Sequence, residues 1–165
     1  MEEWVPLREY PGYSISNLGQ VRNDKRSTIL SIVLLQSKHT YVCLMKNGVQ
    51  VKRSISKLVS ESFVPIPEHR VASTFTTPIH LDGDLTNCHA DNLMWRPRWF
   101  AMKYTRQFQL KLPIAAPVRD IQSREVFKDL WPLVMTYGLL YLDIILSAAN
   151  MTYVFPTMQT FEWAK

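Results

Sequence analysis

Turn and helix-breaking signals recur so often along the 165-residue chain that no secondary-structure element can be long. Pro11-Gly12, Asn47-Gly48 and Asp82-Gly83 are dipeptides typical of tight turns, and Asn47-Gly48 is a strong β-hairpin signal. Pro65 and Pro113 stop the segments before them, because proline removes a backbone donor and fixes φ. The chain is therefore predicted to fold as small modules in series rather than as one compact domain.

The first half of the chain changes from a strand period to a helix period. In residues 1–53, apolar and polar residues alternate in short runs, which predicts a small antiparallel sheet. Ile55, Leu58 and Phe63 fall at helical spacing, which predicts a helix over residues 54–63. Residues 79–95 are predicted to form a strand, a turn-rich loop and the start of another helix.

The last segment, residues 117–165, begins with a predicted strand and then has two helical patterns. Asp129 is a predicted N-cap for a helix over 131–137, and Gly138 ends that helix. A second helix follows over 142–149. Two short helices hinged at a glycine are typical of a helix-turn-helix, and a strand over 160–163 closes the segment.

The net charge of +5 is distributed unevenly. Residues 1–70 carry ten Lys and Arg against six Asp and Glu, whereas residues 71–95 carry three acids and no base. Residues 96–119 carry six bases and no acid, and residues 120–165 carry three bases against five acids. Two basic blocks thus flank an acidic island, which indicates a polyanionic partner. Residues 96–116 are predicted to form an extended basic linker, fully extended or partly helical.

Targeting signals and cysteine content indicate the cellular compartment of the chain. No early stretch joins a basic start to an apolar core, so no secretory signal is predicted. The most apolar run, residues 131–149, is interrupted by Pro132 and Asp143, so no membrane span is predicted. Cys43 and Cys88 cannot form a disulfide framework or a zinc site alone. A cytoplasmic location is expected, in the host cytoplasm if the chain is phage-encoded.

His80 is the candidate catalytic residue. It lies at a predicted strand end beside Asp82-Gly83, with Asn87 and Asn92 in the same loop. Such a histidine can act as a general base toward water, and asparagine amides can orient it or the backbone. Spacing alone favours a turn in which the Asp and Asn side chains only satisfy backbone groups.

Several parts of the chain resemble phage-type HNH homing endonucleases, and they occur in the family's order. Residues 80–87 (HLDGDLTN) and 91–95 (DNLMW) resemble the HNH core, and 57–65 (KLVSESFVP) resembles the helix before it. Residues 3–22 resemble the nuclease-associated N-terminal module, and residues 117–163 resemble the C-terminal helix-turn-helix module. Ordered matches are far more specific than a single motif.

The resemblance implies an α+β fold with four parts. These are a small N-terminal antiparallel sheet (1–53), a ββα-metal core (54–95), the extended basic linker (96–116) and a helix-turn-helix-like module (117–165).

The resemblance also implies roles for individual residues. His80 matches the general base, Asn92 matches the Asn that supports the loop, and Asn87 matches a loop Asn. Double-stranded DNA is the implied partner. The nucleic-acid-binding residues are then expected to be Arg22, Lys25, Arg26, Lys52, Arg53, Arg96, Arg98, Lys103, Arg106 and Lys111.

Both metal-ligand positions of the family are altered. Ile79 stands where the family has Asp, Asn or His, and Ala101 stands where a second ligand is expected from the following helix. Neither side chain has an oxygen or nitrogen atom that could bind a hard divalent cation. No metal ligand or cofactor is therefore assigned, although Asp82, Asp84 and His89 are nearby in sequence. Mg²⁺ or Mn²⁺ would be the cofactor if the chain is active.

The C-terminal module departs from the family as well. Its second helix has no base, so either it packs as core or its apolar surface binds a protein partner. Two functions stay open for the whole chain. One is a degenerate HNH protein that no longer cleaves and acts as a nucleic-acid- or protein-binding regulator or assembly component. The other is an active endonuclease that nicks or cuts double-stranded DNA with His80 and a divalent metal.

Overall fold

The computed structural model describes residues 1–68, 72–110 and 117–165. The strands are β1 (Trp4–Pro6), β2 (Tyr13–Ser16), β3 (Val21–Asn23), β4 (Thr28–Ile29), β5 (Val33–Leu34), β6 (Thr40–Lys46), β7 (Val49–Ser54), β8 (Thr77–His80), β9 (Leu93–Arg96), β10 (Val118–Asp120), β11 (Val126–Phe127), β12 (Tyr153–Val154) and β13 (Gln159–Trp163). The helices are α1 (Ile55–Phe63), α2 (Arg98–Gln107), α3 (Leu130–Tyr137) and α4 (Tyr141–Asn150). The predicted α+β class, with small antiparallel sheets, is confirmed.

The chain forms two compact units. The N-terminal unit contains Met1–His80 and Asp84–Arg98, and the C-terminal unit contains Leu81–Gly83 and Trp99–Lys165. The module boundaries at residues 53, 95 and 116 are drawn from the sequence and stay a prediction.

The N-terminal unit has three small sheets that pack against α1, one of which is the β8-β9 pair. Strands β1-β2-β3-β4 form one sheet and β5-β6-β7 form another, and all the pairs are antiparallel. The hairpin predicted at Asn47-Gly48 joins β6 to β7, and both residues have positive φ. Ile15 and Leu44 from the sheets pack in one core with Leu58 of the predicted helix.

The segment after the candidate loop differs from the sequence prediction. A helix start at residues 93–95 was predicted, but Leu93–Arg96 is strand β9, paired with β8. Leu93 and Trp95 are buried while Met94 is only half-buried, and this alternation has the period of a strand. Helix α2 begins at Arg98, so the partly helical form of the linker is correct for residues 98–107. Lys111 lies outside the described residues.

In the C-terminal unit a four-stranded sheet, ordered β11-β10-β13-β12, accompanies α3 and α4. Both helices were predicted, and Asp129 caps α3 by accepting a 3.1 Å hydrogen bond from the backbone N–H of Trp131. Gly138 ends α3 with φ +62°, in the left-handed region. No single helix in the described part of the chain is long and apolar enough to cross a membrane, although the bent pair α3 and α4 passes on length and composition.

Candidate functional site

A two-stranded antiparallel ladder positions the candidate catalytic loop. His80 at the end of β8 is opposite Leu93 at the start of β9, so residues 81–92 form a loop that returns to its starting point. Gly83 in this loop has φ +76°, and a Cβ atom there would lie 2.5 Å from the ring of Phe108. The turn predicted at Asp82-Gly83 therefore requires glycine.

His80 is buried, with only 4% of its surface exposed. Its Nε2 lies 3.8 Å from Sγ of Cys88, and that sulfur lies 3.3 Å from Oγ1 of Thr40 on β6. The direction of the imidazole–thiol contact depends on the tautomer of His80.

The thiol of Cys88 is a neutral partner for this histidine. Burial raises the pKa of the Cys88 thiol, against a smaller opposite effect of the hydrogen bond with Thr40, and Asp84 raises the pKa further. The thiol therefore stays protonated at neutral pH, in contrast to the low-pKa cysteines that act as nucleophiles.

The two asparagines of the predicted site contact each other. The side-chain amide of Asn92 donates a 2.9 Å hydrogen bond to the backbone carbonyl of Asn87. Oδ1 of Asn87 accepts from the backbone N–H of His89 at 3.4 Å. The first bond links the two ends of residues 87–92. Asn92 thus stabilises the loop, as the resemblance implies for this asparagine. A part in catalysis for either asparagine stays a prediction.

Asp84 forms a local turn with Thr86. Its Oδ1 accepts hydrogen bonds from the Thr86 hydroxyl at 2.7 Å and from the Thr86 backbone N–H at 2.9 Å. These bonds, aided by the charges of His80 and Lys38, hold the pKa of the Asp84 carboxyl below its ordinary value. Asp84 is therefore ionised at neutral pH, with one carboxylate oxygen already engaged.

The residues at the two family ligand positions do not fit a divalent metal ion. Ile79 is a core side chain of β8 with 1% of its surface exposed, and Ala101 is a buried residue of α2. Both offer only carbon atoms, whereas a hard cation requires oxygen or nitrogen ligands. Among the described residues, no three His, Cys, Asp or Glu side chains form a group that could hold a metal. Asp82, Asp84 and His89 are therefore not grouped as three ligands of one metal ion.

Helix α2 presents a basic face to solvent. Phe100, Tyr104 and Gln107 are buried, and the residues on the opposite side are exposed. That exposed set consists of Arg98, Trp99, Met102, Lys103 and Arg106, which we call the α2 face. Nζ of Lys103 lies 5.5 Å from the centre of the Trp99 ring, and 52% of the Trp99 surface is exposed. An exposed aromatic ring between bases is a suitable surface for a nucleic acid.

The bases predicted in the N-terminal unit lie in different surroundings. Lys25 and Arg26 are exposed in the turn between β3 and β4. Lys52 is exposed on β7, with Nζ 5.0 Å from the ring centre of Tyr41. Arg22 lies 3.1 Å from a carboxylate oxygen of Asp24 and stacks on Trp4.

Arg53 and Arg96 have internal partners instead. Arg53 donates a 2.7 Å hydrogen bond to the hydroxyl of Tyr10 and lies 3.5 Å from Glu9 and 3.6 Å from Glu61. Arg96 is 4% exposed and donates to the carbonyl of Trp95 at 2.8 Å. Neither guanidinium is placed as a solvent-facing phosphate contact, and the DNA-binding role of both residues stays a prediction.

Sequence reasoning missed the contact between His80 and Cys88. The sequence assigns no partner to Cys88, which is buried. Nothing in the spacing of the two residues indicates that the loop folds back onto the imidazole. Only the loop path, fixed by the β8–β9 pairing and the turn at Gly83, brings the sulfur to Nε2.

Comparison with known proteins agrees with the resemblance. The family model of the NUMOD4 motif matches residues 2–45. The uncharacterized HNH endonuclease L245 of Acanthamoeba polyphaga mimivirus is 31% identical over 94 residues, which are 56% of this chain and 26% of that protein. The chain thus spans about a quarter of the length of this curated relative.

A solved structure agrees with the fold. A structure of DNA binding and cleavage by the HNH homing endonuclease I-HmuI matches with a TM-score of 0.54 and 17% sequence identity. The match covers 98% of each chain. Together, the motif, the homologue and the shared fold confirm the predicted resemblance to HNH homing endonucleases.

Proposed function

We propose that this relative of the HNH homing endonucleases binds double-stranded DNA without metal-dependent cleavage and acts as a DNA-binding regulator or assembly component. The observation that carries the proposal is the buried Ile79, which stands next to His80 in β8. A ligand cannot be regained there by a rotamer change, because the side chain contains no donor atom and is packed in the core.

DNA binding is supported by the charge and exposure of the α2 face. Arg98 and Arg106 are eight positions apart, so they lie about 12 Å apart along the helix axis. Lys103 lies between them, and the described residues of the segment contain no acid. Binding is expected to have a large electrostatic component, because these side chains can neutralise DNA phosphates.

Exposed bases of the N-terminal unit form a second candidate contact. Lys25, Arg26 and Lys52 are open to solvent. Their contribution would add to that of the α2 face through phosphate contacts. Arg22 contributes less, since Asp24 already neutralises part of its charge.

The salt dependence of binding tests the DNA proposal. The triple variant Arg98→Ala, Lys103→Ala, Arg106→Ala should bind a 30-base-pair duplex more weakly in fluorescence anisotropy. The slope of log K against log salt should fall in magnitude by up to ~2.7, since each phosphate contact contributes ~0.9.

A charge-matched control is available in the C-terminal unit. Arg124, Lys128 and Lys165 are also exposed, and replacing all three by alanine removes the same charge. This control should leave the slope nearly unchanged. An equal loss of slope in both variants would show that net charge, rather than the α2 face, drives binding.

A nicking assay tests the loss of cleavage. Supercoiled plasmid incubated with the chain and Mg²⁺ or Mn²⁺ should remain supercoiled, at the level of the protein-free control. The chain must first be shown to bind the plasmid, so that absent cleavage is not simply absent binding. Metal-dependent nicking that disappears in His80→Ala would refute the proposal.

A second candidate function is an active endonuclease with His80 as the base. The bond from Asn92 to the carbonyl of Asn87 favours it, because the loop that supports the histidine is kept. In this case the cation would bind through few protein ligands and mainly through water and the DNA phosphates. The same nicking assay separates the two functions.

A further inference from the structure

Helix α4 presents an apolar face that no described residue of the C-terminal unit covers. Leu142 is 59% exposed and Leu146 is 55% exposed, one helical turn apart. Ala149 is exposed beside them and Ile145 is half-buried, while Ile144 and the rest of the opposite face are in the core. We propose that this α4 face is the contact through which two copies of the chain pair, with their α4 helices antiparallel.

DNA is a poor occupant for this face. Helix α4 contains no base, and its only charged residue is Asp143. Residues 120–165 carry five acids against three bases. DNA phosphates at this face would therefore contact leucine side chains and a carboxylate. No basic side chain of α4 would neutralise them and release their counterions.

The face is complementary to itself when two helices run antiparallel. The large Leu142 then lies opposite the small Ala149 of the second copy, and Leu146 lies near the twofold axis, opposite Ile145 and Leu146 of the second copy. Alternation of large and small side chains lets two helices approach closely. An isologous contact of this kind closes as a dimer and does not propagate.

The polar edge of the face gives the pairing its direction. Asp143 and Asn150 lie seven positions apart along the same edge of α4. In an antiparallel pair the Asp143 carboxylate can accept a hydrogen bond from the Asn150 amide of the second copy. In a parallel pair this edge would face the opposite edge of the second helix, which carries Ile145, so the bond could not form. The hydrogen bond therefore favours the antiparallel arrangement.

The size of the α4 face determines the expected affinity of the dimer. The ten residues of α4 extend for about 15 Å. One face of so short a helix buries less surface than the ~800 Å² per partner of a standard interface. Exposed Met151 and Tyr153 follow α4 and enlarge the apolar surface. A weak dimer is expected, with a dissociation constant of about 10–100 µM.

Sedimentation equilibrium of the full chain, without DNA, tests the proposal. The native chain should change from monomer to dimer between ~1 and ~500 µM. Leu146→Glu should raise the dissociation constant at least ~10-fold, because it places two carboxylates near the twofold axis. Leu146→Lys should do the same. Circular dichroism spectra that match the native chain would show that both variants fold.

Mixing the two charged variants gives the specific readout. An equal mixture of Leu146→Glu and Leu146→Lys should form the dimer again, since opposite charges then meet at the axis. Leu34→Glu is the control, because Leu34 is 60% exposed but lies on β5 in the N-terminal unit. It should leave the dissociation constant unchanged.

Three results would overturn the proposal. The native chain could remain monomeric at the highest concentration, the mixture could fail to restore the dimer, or Leu34→Glu could weaken the dimer equally. Binding of the monomer to phosphatidylcholine–phosphatidylglycerol vesicles that is lost in Leu146→Glu would assign the face to a lipid surface instead. None of these measurements depends on DNA, so the outcome is independent of the proposed function.

Discussion

Arg53 is a residue for which the sequence and the structure suggest different roles. Its position next to Lys52 predicts a DNA contact, whereas its guanidinium bonds to the buried Tyr10 and lies near two glutamates. We expect Arg53→Ala to lower the free energy of unfolding of the N-terminal unit and to leave the salt slope of DNA binding nearly unchanged.

The contacts of Arg53 set the magnitude. A hydrogen bond from a charged donor contributes about 1.5–3 kcal/mol, and the bond to Tyr10 is short at 2.7 Å. Glu9 and Glu61 are solvent-accessible partners at 3.5 and 3.6 Å, so together they add about 0–1 kcal/mol. A loss of about 2 kcal/mol follows for Arg53→Ala, which is large against a typical total of about 5–15 kcal/mol.

Urea unfolding followed by circular dichroism measures this loss, and anisotropy titrations measure DNA binding. The matched control is Lys52→Ala, the neighbouring exposed base, which should change stability by less than ~0.5 kcal/mol. A double-mutant cycle with Tyr10→Phe isolates the hydrogen bond. The two changes together should cost about 1.5 kcal/mol less than the sum of the single changes, the lower end of the range for this bond.

Two results would contradict a structural role for Arg53. If Arg53→Ala leaves the unfolding curve in place but lowers the salt slope as much as Lys52→Ala does, the guanidinium contacts DNA. A cycle with no coupling to Tyr10→Phe would show that the 2.7 Å bond does not stabilise the fold.

Three further changes test local features of the C-terminal unit. Gly83→Ala should cost about 1–3 kcal/mol in urea unfolding, because φ is +76° and the new methyl group would lie 2.5 Å from Phe108; a cost below ~0.5 kcal/mol would contradict this. Burial raises the pKa of the Asp143 carboxyl, despite the opposite effect of Lys103, so the ionised group disfavours the fold as the pH rises through the raised pKa. Asp143→Asn should therefore raise Tm more at pH 7 than at pH 3, and equal shifts would refute the argument. Asp129→Ala should cost about 1 kcal/mol by removing the cap of α3, whereas Asp129→Asn, which keeps an acceptor, should cost less.

Local patterns predicted those elements whose period and end signals agree. Helix α1 has its apolar residues at helical spacing, and α3 lies between a capping Asp129 and Gly138. The helix predicted at residues 93–95 was wrong because a short apolar run suits a strand or a helix equally well. Pairing with β8 decided for the strand.

The candidate site was predictable in its residues but not in its contacts. The order His80, Asn87, Asn92 is visible in the sequence, as are the missing donor atoms at Ile79 and Ala101. Whether each of these side chains is buried depends on the strands that surround it. A spacing pattern contains no information about those neighbours.

The sequence by itself determined the chemistry that is available: a histidine in a turn-rich loop, no donor atom at two expected ligand positions, and basic charge concentrated before an acidic tail. Tertiary structure decided which groups can use that chemistry. It joined Cys88 to His80, gave Arg53 and Arg96 internal partners, and left the α2 face and the apolar α4 face in solvent. The physical reason is that composition fixes charges and donor atoms, whereas burial and contact arise from residues distant in sequence.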